Sequence, residues 1–219
     1  MDPNALNVET AGKLEIDSAS AQNVGETSTS LLTTEIVAYS GVSQSDSAQA
    51  SSSDASSIQG KRENYLGWAE YFMSVALLAA HRSKDPCTRV GAVIADTESN
   101  IIQGIGYNGF PRGCSDDDLP WAKGMPNPLD NKYFYVCHAE MNAILNRNSA
   151  SGKNSIIYVT LFPCNECCKM IIQSGIQKVV YMEDKPNKVE MQASRRMFEL
   201  AGVELSKFTT NRAEIVIKF

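Results

Sequence analysis

Apolar positions in YLGWAEYFMSVALLAAHRS, residues 65–83, recur every three or four residues and predict a helix with one buried face. TRVGAVIAD (88–96) and NIIQGIGY (100–107) are short runs of strand-forming residues joined by Thr-Glu-Ser, and predict a hairpin. A stretch rich in Gly, Pro and Asp follows at 108–135, too polar and irregular for either period. Loops this long inside a compact domain are usually functional. Helical spacing returns from His138 to about Asn148. NSIIYVTLF (154–162) predicts a strand, and CNECCKMIIQSG (164–175) a helix ended by Gly175. QKVVYM (177–182) predicts a strand, and KVEMQASRRMFELAG (188–202) a helix ended by Gly202. Short strands are expected at 203–208 and 214–218. Strand–helix–strand units favour parallel pairing through right-handed crossovers, so the expected fold is a three-layer α/β/α sandwich around a mixed five-stranded sheet.

The first 60 residues break this pattern. They hold 13 serines, a single aromatic (Tyr39) and no sustained period. A segment this polar cannot bury enough apolar surface to offset its chain entropy, so residues 1–60 are expected to form a disordered arm and 61–219 the folded domain. The arm carries eight acidic residues, one lysine and no arginine, unlike an organelle transit peptide. No apolar run approaches the roughly 18–20 residues of a membrane helix, and no secretory signal is visible, so a cytoplasmic protein without membrane contact is expected. Of the net charge of −5, the arm supplies more than all, leaving 17 acidic and 19 basic residues in the domain. A domain this close to neutral lacks the basic excess that tracks a phosphate backbone, so no nucleic-acid partner is expected. A small anionic substrate needs only one or two cations and stays open.

Candidate chemistry lies in YVCHAEMN and LFPCNECC. Two predicted helices open at these motifs. Cys164 and Cys167 stand at i and i+3 and present both thiols on one side of a helix whose N-terminus favours thiolates. His138 adds an imidazole. Two thiolates and an imidazole suit zinc, and three protein ligands leave its fourth position open to water, as in catalytic sites. Glu140, two residues after His138, is placed to take a proton from that water. The bland reading is a structural zinc completed by Cys137 or Cys168. Residues adjacent to ligands point elsewhere, and both cysteines read better as buried small hydrophobes. The order His-x-Glu then Pro-Cys-x-x-Cys also matches the signature of zinc nucleobase deaminases.

Residues 61–219 resemble the deoxycytidylate deaminases of the cytidine and deoxycytidylate deaminase superfamily. The resemblance is carried by KRENYLGWAEYFMSVALLAAHRSKDP, VGAVI, GIGYNGFPRGCSDDDLPW, YVCHAEMNAIL and YVTLFPCNECCKMIIQSGI. It implies that His138, Cys164 and Cys167 bind Zn2+ and that Glu140 shuttles protons. It implies hydrolysis of dCMP to dUMP and ammonia, supplying the precursor of thymidylate. It further implies a homohexamer activated by dCTP with Mg2+ and inhibited by dTTP, with the effector site shaped by the segment containing Gly106, Tyr107, Asn108 and Gly109. Asp116, Asp117 and Asp118 are either magnesium contacts or a solvated acidic loop, the second being favoured. Asn108 sits where the superfamily places an asparagine near the sugar, although an Asn-Gly pair also suits a plain turn. Lys84 and Arg89 are candidates for the 5′-phosphate, against the ordinary reading of solvated charges. Cys87 and Cys114 occupy positions suggestive of a second zinc, but further ligands are wanting, and His81 reads as a helix cap.

Two rivals remain. A tRNA or polynucleotide base deaminase would use the same zinc chemistry. A non-catalytic zinc module would have no need of Glu140 or of an open fourth position.

Overall fold

The structure is a computed structural model describing residues 60–148 and 152–218; the serine-rich arm lies outside them. Elements follow in the order α1 (Trp68–Ala80), β1 (Gly91–Asp96), β2 (Ile102–Tyr107), α2 (Ala139–Leu145), β3 (Ser155–Leu161), α3 (Asn165–Gln173), β4 (Lys178–Glu183), α4 (Val189–Ala201) and β5 (Glu204–Lys207). The sheet order is β2-β1-β3-β4-β5. β1 pairs antiparallel with both β2 and β3, whereas β3, β4 and β5 run parallel. The mixed five-stranded sheet is as expected from the sequence.

Alternation along the strands divides the core into two layers. Ala92 and Ile94 of β1, Ile157 and Val159 of β3 and Val179 of β4 join residues of α2, α3 and α4 on one face. Val93, Ala95, Tyr158 and Val180, the residues between them, pack with Phe72, Met73 and Ala76 of α1 on the other. Three helices on one face and one on the other complete the sandwich. Among the described residues no helix is long and apolar enough to cross a membrane.

Two differences from the expected elements stand out. Residues 214–218 form no strand, although their alternation suits one. The chain leaves the sheet after β5, where the Phe208 amide donates to the Tyr181 carbonyl at 2.7 Å. It then turns back toward α1: Thr210 Oγ1 donates to Glu70 at 2.6 Å, and Arg212 reaches the Tyr65 carbonyl at 3.3 Å. The long segment 108–135 carries two 3-10 turns, Pro128–Asp130 and Lys132–Phe134. It is pinned by buried Asn131, whose Oδ1 accepts from the Met125 amide at 2.8 Å while Nδ2 donates to the Asn127 carbonyl at 3.0 Å.

The contact that places the site is the seat of α2 on β2. Gly104 and Gly106 face the helix backbone so closely that a Cβ on Gly104 would lie 2.3 Å from the Ala143 carbonyl oxygen, and one on Gly106 2.2 Å from that of Ala139. Asn142 and Asn146 lock the seat, donating to the Tyr107 carbonyl at 2.7 Å and the Ile105 carbonyl at 3.2 Å. They also cover an edge strand that would otherwise present unpaired groups. We expect Gly106→Ala to lower stability by about 1–3 kcal/mol or more, because the clash is with backbone and cannot be relieved by a rotamer. Denaturant unfolding checks this; wild-type stability would show that α2 can shift away freely.

Candidate active site

His138 is the N-cap of α2 and Cys164 the N-cap of α3. Both have extended backbone and neither side chain caps its own helix, so imidazole and thiol are free to face one another. α3 begins four residues after the end of β3, with Pro163 fully buried in between. Cys167 follows one turn into α3 and is buried. The donors therefore meet where the carboxyl end of β3 feeds a helix, the usual place for a site in an α/β sheet.

His138 Nδ1 lies 3.4 Å from Cys164 Sγ and 3.3 Å from Cys167 Sγ, and all three donor atoms lie within 4.8 Å of one another. Tetrahedral zinc, with bonds near 2.0–2.1 Å to nitrogen and 2.3 Å to sulfur, would set nitrogen and sulfur about 3.6 Å apart. The donor set and its spacing fit that ion. The two thiols are driven apart in acidity. Cys164 is held down to about 4, chiefly by the hydrogen bond from Cys167 and further by His138, while burial opposes. Cys167 is pushed up, first by that same hydrogen bond and then by burial. The hydrogen bond with Cys164 lifts His138 to about 9, against desolvation and with help from the Glu140 charge. An imidazole and two thiols so strongly coupled are the groups a soft divalent cation would bind on releasing their protons.

Glu140 is 4 % exposed on the first turn of α2. Burial pushes its carboxyl above the ordinary carboxylate range, with the His138 charge opposing. His138, Glu140 and Cys164 line one cavity of about 430 Å³, together with Asn108, Asp85 and Lys132.

A family model described as the cytidine and deoxycytidylate deaminase zinc-binding region matches residues 66–183. The mouse protein named deoxycytidylate deaminase is 58% identical over 160 residues, 73% of this chain and 89% of its own. Its human counterpart is 56% identical over 160 residues, with the same shares covered. A crystal structure of dCMP deaminase from cyanophage S-TIM5, in complex with dCMP and dUMP, is 29% identical, covers 64% of this chain and 95% of its own, and has a TM-score of 0.48. The chain belongs to the cytidine and deoxycytidylate deaminase family.

In this deaminase the sequence-predicted residues divide by place. His138, Glu140, Cys164 and Cys167 converge. Asn108 is buried in the cavity wall, but most of its amide is committed to the protein. Its Oδ1 accepts from the Val90 amide at 2.8 Å, and its Nδ2 donates to the Thr88 carbonyl at 3.0 Å and to Asp85 at 3.3 Å. Lys84 is exposed and paired with Asp116, Arg89 is exposed, and neither lines the cavity. Gly106 packs on α2, Tyr107 lies under the Arg82 guanidinium at 5.8 Å, and Gly109 bridges to Cys137. Cys168 is buried but Cys137 only half so, and Cys87 and Cys114 are exposed. His81 is the C-cap of α1.

The sequence reading missed a buried ion pair. Lys132, from the long loop, places Nζ 2.6 and 2.5 Å from the two oxygens of Asp85, and each side chain is 5% exposed or less. Burial pushes the Asp85 carboxyl up, but the Lys132 hydrogen bond and the Cys87 and Thr88 amides more than offset this and hold it below the ordinary range. Nothing in SKDP or NKYF marks these two as partners. They are 47 residues apart, and a lysine in a polar loop reads as solvated. Since Asp85 also holds Asn108, the pair ties the long loop to the cavity wall.

Lys132→Met should cost about 3–5 kcal/mol, by leaving a buried carboxylate unpaired, whereas the D85N/K132M double variant should recover much of that loss. The folded carboxyl titrates below its unfolded value near 3.9. Its contribution is therefore complete above that value and is lost as pH falls through the folded one, so Asp85→Asn should flatten the acid limb of stability against pH. An unchanged acid limb would remove Asp85 from that account.

Proposed function

We propose that this deaminase hydrolyses dCMP to dUMP and ammonia, with His138, Cys164 and Cys167 holding a zinc ion and Glu140 moving the protons. The observation that carries the reading is a buried Glu140 carboxylate on the same cavity wall as the His138 and Cys164 donors. The substrate is taken from the relatives named deoxycytidylate deaminase, at 56–58% identity.

Zinc, when bound, would supply Lewis-acid polarisation of a water molecule. The residues of the chain do the rest. Glu140 accepts one proton of the attacking water and hands it to ring N3, which makes C4 electrophilic. As the water oxygen bonds to C4, Glu140 takes the second proton and delivers it to the departing amine, so the C4–N bond breaks to give ammonia and the uracil carbonyl. A carboxyl raised by burial suits this work, since it accepts a proton more readily than a free carboxylate. Asn108, fixed by Val90, Thr88 and Asp85, presents a rigid edge of the cavity to the sugar. Cys164 and Cys167, on consecutive positions of one helix face, keep the donor geometry fixed while protons move.

The resemblance extends the proposal to thymidylate supply, a cytoplasmic location, a homohexamer, activation by dCTP with Mg2+ and inhibition by dTTP. The effector would meet Gly106, Tyr107, Asn108 and Gly109, which end β2 and open the long loop. Support for regulation is the wording of that segment alone.

Ammonia release from dCMP, with zinc content measured on the same protein, tests the central reading. Glu140→Gln should keep the zinc and lose about 10²–10⁴-fold in turnover, the usual worth of a positioned acid–base group. Cys164→Ala should lose both zinc and turnover. Near-normal turnover by Glu140→Gln would remove the proton role from this residue.

A further inference from the structure

Asp85 joins two arms of a closed frame around the cavity wall. Its Oδ1 accepts from the Cys87 amide at 2.8 Å and the Thr88 amide at 3.1 Å, and its Oδ2 from Asn108 Nδ2 at 3.3 Å. Lys132 Nζ closes on both oxygens. One arm runs from Asp85 to Asn108. The Asn108 carbonyl accepts from Ser83 Oγ at 2.8 Å, and the next residue, Gly109, pairs with Cys137 through two backbone hydrogen bonds, at 2.8 and 3.1 Å. The other arm runs from Asp85 to Lys132. The Lys132 amide donates to the Ala122 carbonyl, and the Lys132 carbonyl accepts from the Tyr135 and Val136 amides, all at 2.9 Å. Both arms therefore end on the short stretch 132–137, and the residue that follows it is His138, the N-cap of α2.

We propose that the Asp85–Lys132 pair is a positioning device for the reaction: it fixes the chain that delivers His138, and so sets the angle at which the imidazole meets the thiols beside Glu140. This rests on the functional reading above. Stability alone does not account for the pair, since two charges buried together gain little over an apolar pair of the same shape. Direction does. An apolar contact at this depth would hold the long loop without orienting it. A carboxylate that accepts from Cys87, Thr88, Asn108 and Lys132 together admits one arrangement of all four, as fully satisfied buried networks do. The seat of α2 on Gly104 and Gly106 fixes the helix after His138, and the frame fixes the chain before it. His138 stands at the junction, where its ring turns with its own backbone. A small turn there leaves the fold intact and the donor set misshapen. Partners that orient a metal ligand are worth roughly 10–100-fold in metal affinity or activity.

The experiment turns on D85N/K132M, the neutral double variant that should recover much of the stability lost by K132M. It is compared with the wild type and with V180A, a truncation in the core on the α1 face of the sheet. Four quantities are measured: kcat and KM for dCMP, zinc affinity by chelator competition, the thermal midpoint, and the visible absorption of the cobalt-substituted protein, whose bands report ligand geometry. D85N/K132M should lose about 10–100-fold in kcat with a smaller change in KM, bind zinc more weakly and show shifted cobalt bands. V180A should lower the thermal midpoint and leave kcat and the cobalt bands as they are. Should D85N/K132M fold poorly, K132Q, neutral and one bond shorter, takes its place with the same expectations. Wild-type kcat and wild-type cobalt bands in either folded variant would overturn the positioning role. A loss confined to KM, with the bands unchanged, would overturn the link to His138. No release of ammonia from dCMP by the zinc-loaded wild type would overturn the functional reading instead, and the zinc affinities and cobalt bands of the variants would still decide the frame.

Discussion

The backbone contact of α2 with β2 is the constraint on which the rest of the site depends. No side chain separates helix from strand at Gly104 and Gly106, so the start of α2 has no freedom to slide or roll. His138 and Glu140 sit at that start, and their positions relative to the sheet are set before any side-chain choice is made. The second half of the site is fixed through the same sheet. β1 lies between β2 and β3, and β3 ends at Leu161, three residues before Cys164 at the start of α3. Two rigid seats on one sheet thus bring an imidazole within 3.4 Å of two thiols 26 and 29 residues away.

The cavity holds two buried carboxylates solved in opposite ways. Asp85 receives a lysine and two backbone amides, and titrates low. Glu140 receives less than its burial costs, and titrates high. The first is therefore held as a charge, and the second takes up a proton more readily than a free carboxylate. Carboxylates whose environments drive them apart in this way divide structural from acid–base work within one site. The division also has a cost. A charge pair buried at Asp85 and Lys132 contributes little net stability over an apolar pair of the same shape. What it provides is a tether: the long loop cannot leave the cavity without exposing Asp85, and Asn108 is held by the same carboxylate.

The cluster of His138, Cys164 and Cys167, with Glu140 beside it, was legible in the sequence because short-range geometry decides much of it. His138 and Glu140 are two residues apart, Cys164 and Cys167 one helical turn apart, and helix geometry alone orients each pair. The sheet was legible through its alternation, which divides Ala92 and Ile94 from Val93 and Ala95 between two cores. The same alternation misled at 214–218, where the pattern fits a strand but the chain has left the sheet for α1. The Asp85–Lys132 pair was invisible for a different reason. Partnership between one acid and one of many lysines, across a loop without periodicity, leaves no pattern in either local sequence. Gly106 could be read only as part of a family segment, since the helix backbone against which it packs comes from 33 to 37 residues later in the chain.

That contrast carries a physical consequence for how such a site divides its labour. The two cysteines have a spacing fixed by one turn of helix, and the Glu140 carboxyl is raised by burial, so a shift of the core would disturb both. Much of the rest of the cavity wall is drawn from the turn around Asp85, the long loop and the β4–α4 connection, all outside the sheet. Those segments can vary without moving His138 against the cysteines, which are seated on the sheet. Charges at the mouth can sit on exposed side chains with little cost to folding, while charges deeper in the cavity must be buried, where desolvation strengthens their interactions. Sorting by depth is therefore not incidental to the cavity. It lets one sheet and four helices keep a single constellation fixed while the mouth remains free to vary.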